Sequence, residues 1–482
     1  MGRQRLGETK PALATPMSKT THTNRPTSMR PHLRSVRCAV QCGLALALAS
    51  WHAFGQVPST LQQHLFPTDG QSRVLGSDLD ADQQTLVAGG TGRVYVYTLG
   101  PGGRVEMGVL EPPTVVPRQD RFGLAVAVSG DLVAVGSQNE KTAPGAFGAV
   151  HIYRRLSGQT STFLQTLNAP VVAELERSGT SLGLDGTHLV VGDTAHRFGL
   201  SPTQGAAYAF EWFSHEAILA STDVPRGDEY GQATAIEGNT ILTGAPQEDI
   251  SPNLGDGGGA VYVYQRVNDS WLFSERLQAV APESGARFGS SVALDHNQAV
   301  IGAASQTVKG QEPAGKVHLF FRTTSWNEVA SFTSDDPVEQ EQFGTAVSIV
   351  GNVAMGGRPG YSPVGIQTVR GGARVMKLSA GMWAIREDLA APDDENLDQY
   401  GSSVLVYRGE LIVGAALVDV PVNGDTIPDW GRFTCSLEGR LQAIFSPTAS
   451  RNSYRSSTRA SIFDLQPSRA SAPCHRSQDR CV

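Results

Sequence analysis

Few side chains here stand in a pattern that could do chemistry. His215-Glu216 opens the text of a zinc-dependent hydrolase, where two histidines four residues apart hold the metal and the glutamate activates water. Leu219 stands where the second histidine is required, so the motif fails. Residues 422–430, VNGDTIPDW, resemble a calcium loop through Asn423, Asp425 and Asp429. Pro421 replaces the first acid, and Thr426 replaces the glycine that allows the sharp turn. Arg226-Gly227-Asp228 spells an adhesion tripeptide, but polar residues and glycine are normal at the same place in other parts of the chain. The acid pairs Asp335-Asp336 and Asp393-Asp394 also recur at equivalent places, which suits a repeated structural role better than one catalytic site. No Gly-x-Ser-x-Gly nucleophile elbow is expected, and no glycine-rich loop opens a helix to cradle phosphate. The sequence therefore assigns no catalytic, cofactor-binding or metal-ligating residue and implies no cofactor; calcium at 422–430 comes nearest to one.

The elements that would carry any site repeat. Phe122-Gly123, Tyr230-Gly231, Phe288-Gly289, Phe343-Gly344 and Tyr400-Gly401 open the same short text, and Leu75-Gly76 and Ser178-Gly179 open weaker copies. Successive copies are 47, 56, 52, 58, 55 and 57 residues apart. A fixed period of this size means a repeat architecture. Each copy contains four short runs of alternating apolar residues bounded by turn residues, which predicts four strands. Gly130-Asp131, Gly238-Asn239, His296-Asn297 and Gly351-Asn352 fall between the first two and suit tight hairpins. Four-stranded sheets repeated radially, each burying its faces against its neighbours, make a β-propeller. Small residues at 243–246, 301–304 and 413–416 allow close backbone approach. Trp271, Trp326 and Trp383 start the fourth strands, where packing between blades is expected.

The seventh copy begins at Tyr400 and lacks a fourth strand. Its first two strands are expected at 402–407 and 411–415, and its third at Gly431-Arg432-Phe433. Residues 60–76 carry a fourth strand and linker with no first three strands before them. The economical expectation is that 61–66 complete blade seven. The fold expected is therefore all-β: a seven-bladed β-propeller of four-stranded antiparallel blades over 56–436, closed by an N-terminal strand in the last blade.

The text FGLAVAVSGDLVAVGS at 122–137, followed by GAVHIYRR at 148–155, resembles the FG-GAP repeat, and the turn and tryptophan positions fit its bacterial secreted branch. Only the fourth copy keeps a full Gly-Ala-Pro, at 244–246. The resemblance implies a seven-bladed propeller similar to the N-terminal head of integrin α chains. It also implies extracellular binding or adhesion, and in that family the N-terminal strand closes the last blade. Integrin-type calcium loops lie between the first two strands. The two-residue turns here offer too few oxygens for the 6–8 ligands of calcium.

Charge is unevenly placed. Residues 1–55 carry +7 and 437–482 carry +4, which leaves −18 on 56–436 of a chain total of −7. So acidic a repeat region argues against nucleic acid and anionic membranes as partners. Arg30, Arg34 and Arg37, the apolar run 38–50 and Ala53-Phe54-Gly55 read as an export signal over 29–55. The run is too short for a comfortable span, so no transmembrane segment is expected after cleavage. Residues 1–28 resemble neither signal nor domain, and the Ser/Arg-rich 437–482 reads as a disordered tail. No cysteine lies between 43 and 434, so packing rather than disulfides must hold the repeats. The function expected is an exported, periplasmic, extracellular or cell-surface, non-catalytic binding or adhesion scaffold. It would contact a protein or glycan through variable loops at 138–147, 194–204, 247–258, 305–314, 358–371 and 416–430. The alternative is a propeller enzyme, a polysaccharide lyase or hydrolase, acting at a central channel.

Overall fold

The computed structural model describes residues 60–437 apart from 69–73, 114–120, 144–145, 157–160, 171–176, 198–203, 220–227, 251–256, 312, 336, 363–368, 392–398, 417–419, 423–424 and 428–431. The expected 1–28 extension, the 29–55 signal and the tail beyond 437 lie outside the described residues. Among the described residues there is no helix, and none is long and apolar enough to cross a membrane.

Strand β1 (Thr60–Leu65) comes first in the chain. Strands β2 (Leu79–Asp82), β3 (Thr85–Gly90), β4 (Arg93–Gly100) and β5 (Gly103–Leu110) form a four-stranded antiparallel sheet in chain order. So do β6 (Phe122–Ser129), β7 (Leu132–Ala143), β8 (Ala146–Arg155) and β9 (Ser161–Asn168), and then β10 (Ser178–Asp185), β11 (His188–Asp193), β12 (Ala206–Glu211) and β13 (Ser214–Leu219). One parallel bridge, Ser178 to Gly148, links these last two sheets. The pattern continues through β14 (Thr234–Glu237), β15 (Thr240–Ala245), β16 (Ala260–Val267) and β17 (Ser270–Leu277), then β18 (Phe288–Asp295), β19 (Gln298–Ala303), β20 (Lys316–Arg322) and β21 (Trp326–Phe332). The next sheet is β22 (Val347–Val350), β23 (Val353–Arg358), β24 (Gly372–Ser379) and β25 (Met382–Ala390). After β26 (Tyr400–Tyr407) and β27 (Glu410–Ala415) comes a small separate hairpin, β28 (Val420–Val422) and β29 (Asp425–Ile427), and then β30 (Arg432–Leu437). The last sheet has the order β1-β30-β27-β26, so residues from both ends of the described chain share one sheet.

The apolar cores lie between sheets, because a two-faced apolar sheet must bury both faces. Val190, Ala207 and Leu219 of one sheet pack with Tyr230, Ile241, Tyr262 and Trp271 of the next. Trp326 packs with Leu242 and Val263 in the same way, and Trp383 packs against the core of β18–β25, as expected of these tryptophans. Leu65 and Ile412 of the last sheet pack with Leu75, Leu86 and Tyr97 of the first.

The repeated glycines have a common cause. Gly244 lies so close to the next sheet that a Cβ on it would collide with the carbonyl oxygen of Gly289, and Gly289 holds φ +92°. The same contact joins Gly414 to Gly76, from the last sheet to the first. The Phe-Gly glycine of one sheet and the Gly-Ala-Pro glycine of its neighbour are thus two halves of one close approach.

The first strands of successive sheets also touch, and β26 lies against β2. Apart from single parallel bridges such as Ser178 to Gly148 and Phe288 to Gly259, the first strands pair on one side only, which leaves backbone N–H groups on the other edge. Side chains from the preceding sheet accept these hydrogens. Val126 N donates to Asp78 (2.8 Å), Val128 N to Asp80 (2.7 Å) and Gly130 N to Asp82. At the turns, Gly186 N donates to Ser129 Oγ (2.9 Å), Gly238 N to Asp185 (2.6 Å), His296 N to Glu237 and Gly351 N to Asp295. Part of the acidity of 56–436 is therefore structural.

Burial pushes Asp78 up to about 6 and Asp80 up to about 7 against the pull of these N–H groups, and neighbouring Asp78 and Asp82 add to the effect on Asp80. A carboxyl raised above its unfolded value of 3.8 stabilises the fold fully below about pH 4, and the contribution is lost as pH rises through 7. Asp80→Asn should therefore gain about 1–2 kcal/mol over the parent at pH 8, with the gap closing towards pH 4. Urea unfolding at both ends of that range measures it; a pH-independent difference would contradict the assignment.

Candidate functional site

In each sheet the first strand starts where the second ends. Phe122 pairs with Ser137, Phe288 with Ala303 and Tyr400 with Ala415. The connections from second to third strand therefore leave each sheet at its aromatic-Gly end. They are not alike. Strands β7 and β8 extend past the sheet as a hairpin in which Lys141 faces Phe147 and Ala143 faces Ala146, where a loop was expected. Residues 305–314 carry a small Val308–Gln311 bridge, and the last connection contains the β28–β29 hairpin.

A slot of constant position and variable chemistry lies beneath these connections. It joins the fourth residue after the second-strand glycine to a residue of the third strand. In one sheet His151 Nε2 meets Glu140 at 2.6 Å, and its Nδ1 meets Thr166 Oγ1 at 2.9 Å. In the next, Tyr208 OH meets His196 Nδ1 at 2.9 Å. Glu248 accepts from Tyr262, and its Oε1 also accepts from Arg276 Nε. His318 meets Gln306 at 3.3 Å and Glu328 at 2.9 Å. The sheet of β22–β25 departs from this pattern: its fourth residue, Tyr361, lies against a second-strand residue, with the Arg358 guanidinium 3.6 Å over its ring.

The environment sets the ionisation in each slot. Burial pushes the Glu140 carboxyl up, but the hydrogen bond and charge of His151 outweigh it and hold Glu140 below its ordinary value. Burial holds His318 below its ordinary value against the opposing pull of Glu328. Asp388 is held low because the Arg374 fork (2.7 and 3.0 Å) and Arg358 outweigh its burial. Glu140, His151 and Thr166 stand in the order acid, base, hydroxyl. The His151 ring is fully buried with both nitrogens engaged, which bars a substrate from it.

His215 stacks edge-on against Phe210, while Glu216 accepts from Trp271 Nε1 at 3.1 Å and pairs with Arg266 at 3.2 Å, so both are packing residues. Asp228 of the adhesion tripeptide is buried, and Arg226 and Gly227 lie outside the described residues. Asn423 and Asp429 of the calcium-like string also lie outside them; Asp425 pairs with Val422 in the hairpin. Asp335 stands 3.8 Å from Arg374, and Asp336, Asp393 and Asp394 are outside the described residues.

Two sets escaped sequence reading. Gly179–Gly183 spell Gly-Thr-Ser-Leu-Gly, the text of a nucleophile elbow. Ser181 instead lies inside β10, donating to Gly231 O at 2.9 Å and sitting 3.0 Å from Thr234 Oγ1, so its hydroxyl ties two sheets together. Glu237, Asp295 and His296 bring three ligand-type atoms within 4.8 Å of one another at the opposite, hairpin end of the sheets. The hydrogen bond to Asp295 (2.6 Å) and the nearby carboxylates raise the His296 value. A proton on that ring competes with any metal, and the two acids already cap neighbouring turns.

The family model described as FG-GAP repeat matches residues 213–264 and 271–320. Residues 213–320 carry FG-GAP repeats. No curated protein matches it. Each matched FG-GAP unit opens at the fourth strand of one sheet and runs to the third strand of the next, from β13 to β16 and from β17 to β20. The unit of sequence is thus offset from the sheet by one strand. That offset is what leaves β1 as a lone fourth strand and the sheet of β26, β27 and β30 in need of one.

Proposed function

We propose that this FG-GAP protein is an exported, non-catalytic binding or adhesion scaffold. It would engage a protein or a glycan through the connections between second and third strands. One observation carries the reading: these connections leave the sheets at the same end and differ in length and conformation, while the strands beneath them stay alike. The slots support the connections with buried hydrogen bonds and ion pairs, a rigid base under variable surfaces.

We further infer that the four-stranded sheets are the blades of one seven-bladed propeller, closed by β1 in the last blade. Three observations support this. Strand β26 touches β2, an apolar cluster joins the last sheet to the first, and the glycine contact between neighbouring sheets recurs from Gly414 to Gly76. In that ring the first strands line the axis and the variable connections share one face.

Glycan and protein arrays probed with the purified chain test the binding reading. Selective binding that is lost when the β7–β8 extension and residues 305–314 are replaced by short turns is the expected result. Absence of binding across both arrays, with turnover of a polysaccharide by the same preparation, would overturn it in favour of an enzyme.

A further inference from the structure

We propose that Asp228 and Glu248 form a binding site for a hard divalent cation, between the linker that enters β14 and the connection that leaves β15. Both acids are more than nine-tenths buried. Gln247 N donates to Asp228 O at 3.1 Å, which clamps the linker against the connection. Glu248 Oε1 is taken by Arg276, but Glu248 Oε2 and Asp228 Oδ2 are buried with no hydrogen-bond partner among the described residues. A buried carboxylate oxygen without a donor is costly unless a charge compensates it.

A second sheet shows what compensation looks like. Asp228 stands two residues before Tyr230, and Glu341 stands two residues before Phe343. Glu341 is also fully buried, and Arg358 Nη1 faces it at 3.5 Å. Arg358 is the residue after the second-strand glycine, Gly357. The same position after Gly244 is Ala245. One acid slot thus has a guanidinium built into the chain, and the other has a methyl group in its place. Three carboxylates, Asp228, Glu248 and Asp249, gather there around the single guanidinium of Arg276, whose Nη2 also reaches Asp249 O at 3.4 Å.

The chemistry selects the cation. The two open donors are carboxylate oxygens, too few for a calcium shell built from protein alone but enough for magnesium, which keeps several waters and binds through one or two carboxylates, or for calcium completed by water. The site is separate from the string at 422–430 and from the turns between first and second strands. Burial first, and then the charges of Glu248 and Asp249, raise Asp228 to about 7 against the pull of Arg276, so a proton is the natural competitor.

The test uses the full chain stripped with EDTA, with calcium chloride and magnesium chloride as separate arms at pH 8. A saturable rise in melting temperature of roughly 3–6 °C is expected with at least one ion at low millimolar concentration. Asp228→Asn should abolish it, and so should Ala245→Arg, which supplies the guanidinium seen in the other sheet; the exposed Asp335→Asn should not. Terbium luminescence excited through Tyr262 and displaced by calcium reads the same site in the parent protein without relying on a variant that folds. No response to either ion, or a response that survives Asp228→Asn, overturns the proposal. So does a melting temperature that rises only on acidification, which would assign a shared proton to the pair instead.

Discussion

Glu410→Ala should lower stability by about 3–5 kcal/mol, because it leaves a buried guanidinium without its anion. Glu410 opens β27 in the last sheet, and Arg104 lies in β5 of the first, 306 residues away in sequence. Both are buried, and Arg104 Nε donates to Glu410 Oε2 at 3.1 Å. The guanidinium also donates to Gln84 O at 3.2 Å, and among the described residues it has no further acceptor. The backbone of Arg104 is tied at the same place: Gln63 of β1 gives its amide hydrogen to Arg104 O and takes one from Arg104 N, each at 2.8 Å. The pair therefore sits where the first sheet, the last sheet and the N-terminal strand meet. Glu410→Gln keeps an acceptor and should cost less. The double variant Arg104→Met, Glu410→Leu should recover most of the loss, since an apolar pair of similar volume leaves no buried charge. Chemical denaturation of the parent, Arg104→Met, Glu410→Leu and the double variant as a double-mutant cycle measures the coupling; additive effects would mean that the two side chains do not act together.

Gly289→Val should cost a similar amount, about 3–5 kcal/mol, for two separable reasons. Its φ of +92° is one that a β-branched residue does not tolerate. Its Cβ would also run into Ala260 O at 2.6 Å, with Val261 and Gly244 close behind, so the neighbouring sheet must move. Gly238→Ala separates the two causes. Gly238 also has positive φ, at +53°, but nothing lies within 4 Å of a Cβ built there. It should lose only about 1 kcal/mol. Equal losses at the two positions would mean that backbone conformation, not contact between sheets, explains the repeated glycine.

Much of this fold is legible because the physical contact repeats. The strands expected at 402–407 and 411–415 are found as β26 and β27, each starting a residue or two earlier, Arg432 and Phe433 open β30, and 61–66 appear as β1 at Thr60–Leu65. The glycine pairs are legible for the same reason, since each is one half of a contact made between neighbouring sheets. In the third copy Ser178 replaces the aromatic, and the strand still forms, because the bridge to Gly148 and the glycine beside it do the positioning. The long extension of β7 and β8 was hidden because Asn139–Ala143 carries no alternation of apolar residues.

The candidate sites were less legible, because their partners lie outside the period. Asp228 reads as one more polar linker residue until Gln247 brings the next connection against it. Arg104 and Glu410 occupy unremarkable turn and strand-start positions, and only the meeting of first and last sheets pairs them. Asp78 and Asp80 look like surface acids in an alternating strand, yet they act as acceptors for the unpaired edge of β6. The slot under each connection is periodic in place but not in residue type, so Glu140 with His151 and His196 with Tyr208 cannot be matched by text alone.

Strands β1 and β30 are neighbours in the sheet that joins the last repeat to the first. Amide hydrogen exchange of the native protein tests this directly. Residues 60–65 should be protected to the same degree as β27 and should lose protection with it in a single step when Glu410→Ala or denaturant weakens the junction. Rapid exchange at 60–65 while 410–415 stays protected would contradict this pairing, because the N-terminal strand would then not belong to the last sheet.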